Sequence, residues 1–281
     1  MQVGIGLPTT LSGAGAALIA SWARQADVGP FSSLGVLDRL IYDSYDPLVT
    51  LGLAAGVTQR IQLVTMIVIS PLRQTAMLAK QAISLDALSG GRLTLGLALG
   101  ARREDYERAQ VDYGSRGRRF SEQLGALRTY WETEGVRPGS ARSGGPAILV
   151  GGSSDAAFAR VARYADGYVH GGGPPRLFAR VADTVRAAWT DAGRPGQPLL
   201  WGQGYFALGS DGELAAGAGY LRDYYAFTGP FAEKIVEGLL TTPQAIVQFI
   251  RGYAEAGCDE LVLLPTVADI NQVERLADVI G

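Results

Sequence analysis

A chain of 281 residues, 47% hydrophobic and 19% charged with a net charge of −2, has ample apolar content for a core and no basic excess to draw it to nucleic acid. One cysteine, Cys258, and one histidine, His170, exclude an intrachain disulfide, a His/Cys zinc cluster and an HExxH pair, so no protein-bound metal is expected. No apolar run reaches the roughly eighteen residues of a membrane helix, and MQVGIGLPTT lacks the basic and long apolar regions of a signal peptide; a cytoplasmic protein with no membrane or nucleic-acid partner is expected.

Short apolar, β-rich runs alternate with helical patterns along the whole chain. A strand at 3–7 precedes a helix at 16–26. Strands at 33–37 and 61–69 precede helices at 47–56 and 75–87, and a strand at 93–99 leads to a helix at 116–131. Strands at 147–150 and 167–170 precede helices at 155–165 and 175–192. The last two strands, 199–207 and 260–264, precede helices at 243–256 and 269–280. Near-continuous apolar strands of this kind are buried on both faces of a parallel sheet. Eight strand–helix units over one chain predict a single-domain α/β fold spanning 1–281, a (β/α)8 TIM barrel, and the first strand–helix turn, VGIGLPTT, carries no GxGxxG fingerprint of an open dinucleotide-binding sheet. Pro47 after Asp46 and Pro243 after Thr242 read as first-turn prolines behind helix caps. Two longer connections interrupt the pattern, a Gly/Ser/Arg/Pro-rich link at 135–146 and a segment at 209–240 containing LRDYYAFTGPF, which suits either a lid or an oligomer contact.

In such a barrel the residues just beyond each strand build the active site. Beyond the fourth comes GARRED (100–105), beyond the fifth GGSSD (151–155), and the sixth runs out into HGGGPP (170–175). Glycine lets a backbone approach a ligand with its N–H groups free, and a helix start favours negative charge, so two such loops side by side suit a phosphate; tight turns alone are the other reading. Asp38 and Arg39 end the second strand, as a structural ion pair or as contacts to substrate or cofactor. The third, IQLVTMIVIS, demands no more than core packing. A Ser-His-Asp or Cys-His centre would have to use His170, and no GxSxG elbow supports one. A Schiff-base aldolase on this barrel would need a lysine at a strand end, but Lys80 and Lys234, the only two, lie in helical stretches.

The stretch LRQTAMLAKQAISLDALSGGRLTLGLALGARREDYERAQVDYGSRGRRFSEQLGALRTYW (72–131), together with ILVGGSSDAAFARVARYADGYV (148–169), resembles the bacterial luciferase-like superfamily of flavin-dependent oxidoreductases, most strongly from Asp38 to Val169. The resemblance implies the same barrel, with a reduced flavin or deazaflavin at its mouth. It implies that Thr65, Met66, Ile67 and Val68 underlie the ring, often with a non-proline cis peptide among them, and that Leu99, Gly100 and Ala101 wall it. Gly151, Gly152, Ser153 and Ser154, with Gly171, Gly172 and Gly173 beyond His170, would cradle the phosphate. Many relatives carry Asp-His where this chain has Asp38-Arg39. Arginine stays protonated and donates no proton, so Arg39 suits the anchoring of an anion, and the catalytic candidates are Asp38, Arg39 and His170.

The expected function is a monooxygenase using reduced FMN from a separate flavin reductase on a small organic substrate. Hydride transfer with the deazaflavin coenzyme F-420 is the alternative, its longer anionic tail met by Arg39, Arg102 and Arg103. A non-catalytic flavin-binding subunit is the second alternative. A homodimer is expected. Tyr42, Tyr45, Tyr106 and Tyr205 are candidates for a pocket wall or for ordinary packing.

Overall fold

The computed structural model describes residues 1–132, 136, 138 and 144–281, so the link expected at 135–146 lies largely outside the described residues. Strands β1 (Gln2–Gly6), β2 (Ser33–Val36), β3 (Gln62–Thr65), β4 (Val68–Ile69), β5 (Leu93–Ala98), β6 (Ala147–Gly151), β7 (Gly167–Val169), β8 (Leu199–Phe206) and β9 (Glu260–Pro265) run parallel. The ring closes because β1 pairs with both β2 and β9, while β3 and β4 both pair with β5. β3 and β4 are therefore two halves of one barrel position, and the nine strands make an eight-membered barrel. The strand expected unbroken at 61–69 is interrupted by a cis peptide between Met66 and Ile67.

Around it lie α1 (Ala16–Val28), α2 (Pro47–Val57), α3 (Thr75–Leu88), α4 (Arg103–Arg108), α5 (Arg116–Glu132), α6 (Asp155–Tyr164), α7 (Pro175–Asp191), α8 (Asp211–Tyr224), α9 (Phe231–Val236), α10 (Pro243–Glu255) and α11 (Asn271–Ile280). Caps fix several starts. The Asp46 carboxylate accepts from the amides of Leu48 and Val49 ahead of α2, and Thr242 does the same for Ala245 in α10. The segment at 209–240 is ordered as α8, a 3-10 turn at Ala226–Thr228 and α9. Its opening, Ser210-Asp-Gly-Glu213, is a capping box in which each end satisfies the other's backbone. No helix among the described residues is long and apolar enough to cross a membrane.

Period-two alternation sorts the strand residues into two cores. Leu34 and Val36, Leu63, Leu95 and Leu97, Ile148 and Val150, and Leu261 and Leu263 face the helices. Val64, Leu149, Trp201, Tyr205, Val262 and Leu264 turn inward and fill the barrel with Met66 and Val169. Glycines adjust the space on both sides. A Cβ at Gly35 would lie 2.7 Å from Val262, and one at Gly204 would lie 2.7 Å from Phe249 of α10. The tightest approach to another stretch of backbone is at Gly96 of β5, where a Cβ would fall 2.1 Å from the Thr65 carbonyl oxygen, while the Thr65 hydroxyl donates to the Gly96 carbonyl at 2.7 Å. This contact holds the end of β3, and with it Met66 and Ile67, against β5.

Candidate active site at the C-terminal mouth

The C-terminal strand ends open into a cavity of 470 Å³. Met66, Ile67 and Ile69 from the broken third position and Ala98 and Leu99 from β5 give it an apolar wall. Gly100 continues this wall with a φ of +70°, and a Cβ there would lie 2.8 Å from Ile69, so the turn requires glycine for both backbone and space. Ala101 follows on the same wall. Thr65 and Val68 stand back from the cavity, the first bonded to Gly96 and the second packed in the helix-facing core.

Facing this wall are Gly151, Gly152, Ser153 and Ser154 at the end of β6, and His170 and Gly171 at the end of β7. Gly152 has a φ of +135°, and its absent Cβ leaves room for Ala157. Ser154 caps α6 by accepting from the Ala157 amide at 3.3 Å. The amides of Ser153, Gly171, Gly172 and Gly173 have no acceptor among the described residues, so four N–H groups remain available in these two loops. Gly172 and Gly173, also at positive φ, lie behind the cavity wall. Gln203 of β8, buried between inward-facing Trp201 and Tyr205, donates to the Gly171 carbonyl at 3.1 Å and fixes the second loop.

His170 is 5% exposed. The Tyr168 hydroxyl lies 2.9 Å from the Gly152 carbonyl and 3.2 Å from His170 Nδ1. A carbonyl only accepts, so the single hydroxyl hydrogen goes to Gly152 and Nδ1–H donates to the hydroxyl oxygen. This assignment leaves Nε2 as an unprotonated acceptor, buried with no protein partner. Burial lowers the imidazole's pKa from its ordinary 6.5, against an opposing pull from the Gly172 backbone, and keeps the ring neutral at pH 7.

Asp38 and Arg39 part company. Asp38 is nearly buried and accepts from the Ile69 amide at 2.9 Å and from Arg73 at 3.2 Å, and Arg73 reaches on to Asp46 at 2.7 Å. Burial raises the Asp38 pKa while the Arg73 charge opposes it. Its carboxylate thus ties β4 to α2. Arg39 lies against the rings of both Tyr42 and Tyr224, 4.4 and 4.5 Å from their centroids, and its Nη1 donates to the Tyr224 carbonyl at 2.7 Å. Of the other tyrosines, Tyr106 is buried and donates to the Leu99 carbonyl, Tyr205 meets the Tyr225 hydroxyl at 2.7 Å, and Tyr45 is exposed.

The fourth side of the mouth is the 209–240 segment, whose Tyr224, Tyr225 and Phe227 line the cavity. Three loops hold it. Tyr220 pairs with Thr10 at 2.6 Å, Tyr42 donates to Asp223 at 2.7 Å, and the Arg102 guanidinium lies 4.8 Å from the Phe227 ring centre. Sequence reasoning singled out this segment without assigning its residues. Gln203 and Asp105 on the cavity wall were missed altogether, although Trp201, Gln203 and Tyr205 form the inward set of WGQGY and period two would have aimed that glutamine into the barrel.

The C-terminal mouth of the eight-membered barrel thus sets glycine loops with free amides opposite an apolar wall. The chain matches the luciferase-like monooxygenase family over residues 1–257 and belongs to that family. It is 37% identical to an uncharacterized protein of Mycobacterium tuberculosis over a 207-position alignment that covers 61% of this chain and 71% of that one. It is 31% identical to a pyrimidine monooxygenase of Stutzerimonas stutzeri over 163 residues, 51% of this chain and 45% of the relative. Among solved structures, the monooxygenase RslO1 of Streptomyces bottropensis superposes with a TM-score of 0.78 at 20% identity, covering 99% of this chain and 97% of that one. A secondary alcohol dehydrogenase dependent on coenzyme F-420 superposes with a TM-score of 0.80 at 16% identity, covering 99% and 98%. At these identities the two superpositions establish the barrel. Family membership makes the protein an oxidoreductase, and it is compatible with either FMN or coenzyme F-420.

The residues present fit such a cofactor. The free loop amides suit a phosphate, the Met66–Ile67 and Leu99–Ala101 walls suit a flat apolar ring, and His170 Nε2 is a buried acceptor awaiting a donor.

Proposed function

We propose that the protein is a flavin-dependent monooxygenase that takes reduced FMN from a separate reductase and acts on a small organic substrate at the barrel mouth. The observation that carries this reading is the meeting of free glycine-loop amides and an apolar wall in one cavity. When bound, the reduced flavin supplies the electrons and the activation of dioxygen. The chain's own residues do the rest. Ser153 and Gly171 would hold the phosphate with their amides, and Ile67, Ile69 and Leu99 would exclude water from the ring's face. His170 Nε2, a neutral and unpartnered acceptor at the cavity, would accept a hydrogen bond from the bound substrate or cofactor. Arg39 anchors the 209–240 segment through the Tyr224 carbonyl, and an arginine donates no proton.

A second reading is hydride transfer with coenzyme F-420, and Arg102 favours it. Arg102 lines the cavity rim, where a longer anionic tail would leave the barrel, whereas Arg103 is exposed and lies over Tyr113, 4.6 Å from its ring centre. Anaerobic equilibrium binding of reduced FMN and of reduced coenzyme F-420, followed by admission of oxygen, separates the two. FMN binding with oxygen uptake is the expected result. Binding of coenzyme F-420 alone, with no oxygen uptake, would replace the monooxygenase by the hydride-transfer enzyme.

A further inference from the structure

Arg39 and Arg102 line the same cavity and lie against the same ring, 5.9 and 4.8 Å from the Phe227 centroid. Arg39 is 8% exposed. Each guanidinium has one backbone anchor. Arg39 donates to the Tyr224 carbonyl at 2.7 Å, and Arg102 donates to the Ile41 carbonyl at 3.3 Å. In each residue Nε is buried with no hydrogen-bond partner, and neither forms an ion pair among the described residues.

Two unneutralised guanidiniums against one aromatic ring repel each other, and an unsatisfied buried N–H on each adds a desolvation cost. The carboxylates nearby do not relieve them. Asp38 is bound to Arg73 and the Ile69 amide. Asp223 accepts from Tyr42. Asp105, also on the cavity wall and 1% exposed, accepts from the Ile41 amide at 2.9 Å through Oδ1, while its Oδ2 is unpartnered as well. Asp105 forms no ion pair with either arginine, so both guanidiniums keep an unpaired buried N–H. The missing component is an anion with acceptor oxygens, and a guanidinium matches a carboxylate in charge and in fork geometry.

We propose that Arg39 and Arg102 form an anion subsite beneath Phe227 and that the substrate is a small organic acid whose carboxylate they hold. The assignment rests on the flavin reading and deepens it by naming the substrate class. Asp105 Oδ2 accepts from a hydroxyl or N–H of the same molecule.

The test is calorimetric binding of acetate, benzoate and octanoate, each against its own amide, to the full chain with and without reduced FMN under anaerobic conditions. The variants are Arg39→Gln, Arg102→Gln and Arg102→Lys, each checked for native circular dichroism. At least one carboxylate is expected to bind about tenfold or more tighter than its amide. Arg102→Gln should abolish that preference and Arg102→Lys should restore part of it, with amide binding unchanged. If no carboxylate is preferred over its amide, or if the preference survives Arg102→Gln, the subsite is wrong. Reduced coenzyme F-420 is titrated in parallel. If Arg102→Gln weakens its binding and leaves carboxylate binding intact, the arginine serves a cofactor tail and the substrate assignment falls. Carboxylate preference in a chain that binds neither cofactor would overturn the flavin reading and leave the anion subsite standing.

Discussion

The two sides of the barrel mouth are made from different material. At the ends of β6 and β7 the surface is backbone, with Gly152, Ser153 and Gly171 presenting peptide groups and few side chains. Across the cavity, the 209–240 segment presents Tyr224, Tyr225 and Phe227, engaged by side chains from loops far away in sequence such as Arg39 and Arg102. A backbone surface discriminates little between side groups and suits the constant part of a reaction, the cofactor phosphate. A wall of rings and guanidiniums can be changed residue by residue without disturbing the barrel, and suits the substrate. The division of labour in one cavity follows from that difference.

The comparison breaks first at Gly96. Gly96→Ala puts a Cβ against the Thr65 carbonyl, where only backbone can yield, and is expected to lower stability by about 3 kcal/mol or more, read by urea denaturation. Such a loss would confirm that the apolar wall at Met66 and Ile67 depends on the close approach of β3 to β5. Asp38→Ala leaves Arg73, 20% exposed, short of one carboxylate and frees the Ile69 amide; a loss of about 2–3 kcal/mol is expected, with the glycine loops unaffected.

His170 sharpens the comparison through pH. Its folded pKa lies below 6.5, so the unfolded chain binds more protons between the two values, and the stability contributed is full above pH 6.5 and lost as pH falls below it. Wild type is therefore expected to lose about 2 °C or more of Tm relative to His170→Gln between pH 7 and pH 5. Asp38, whose folded pKa is raised, works in the opposite sense. The difference between the two proteins cancels it. The smallest effect is at the 209–240 segment. Tyr42→Phe removes one exposed hydrogen bond to Asp223, costs about 1 kcal/mol or less, and is expected to speed amide exchange in 209–240 while leaving β6 and β7 protected.

What the sequence made legible divides along the same line. The barrel followed from eight apolar runs with helical patterns between them, because strand periodicity and caps such as Asp46-Pro47 are local. The glycine loops were legible as loops because GGSSD and HGGGPP sit next to strand ends. Three features were not local. The break of the third strand depends on its fit against β5 at Gly96. The helices α8 and α9 were left unassigned although Ser210 and Glu213 spell a capping box at short range. The role of Asp38 could not be chosen from position, since Arg73 is separated from it by 35 residues and meets it only in the folded barrel. Arg39 and Arg102 were visible as charges, but their shared ring at Phe227 comes from the far end of the chain.

The measurement that tests the central claim most directly is the anaerobic affinity for reduced FMN of wild type and of Gly152→Asp, with circular dichroism confirming that both are folded. A Cβ at Gly152 meets Ala157 from a backbone at +135°, so the variant must shift the loop while adding a negative charge beside Ser153. The account predicts at least about a hundredfold weaker binding in the variant. Equal affinity in the two proteins would contradict it and remove the phosphate from the β6 and β7 loops.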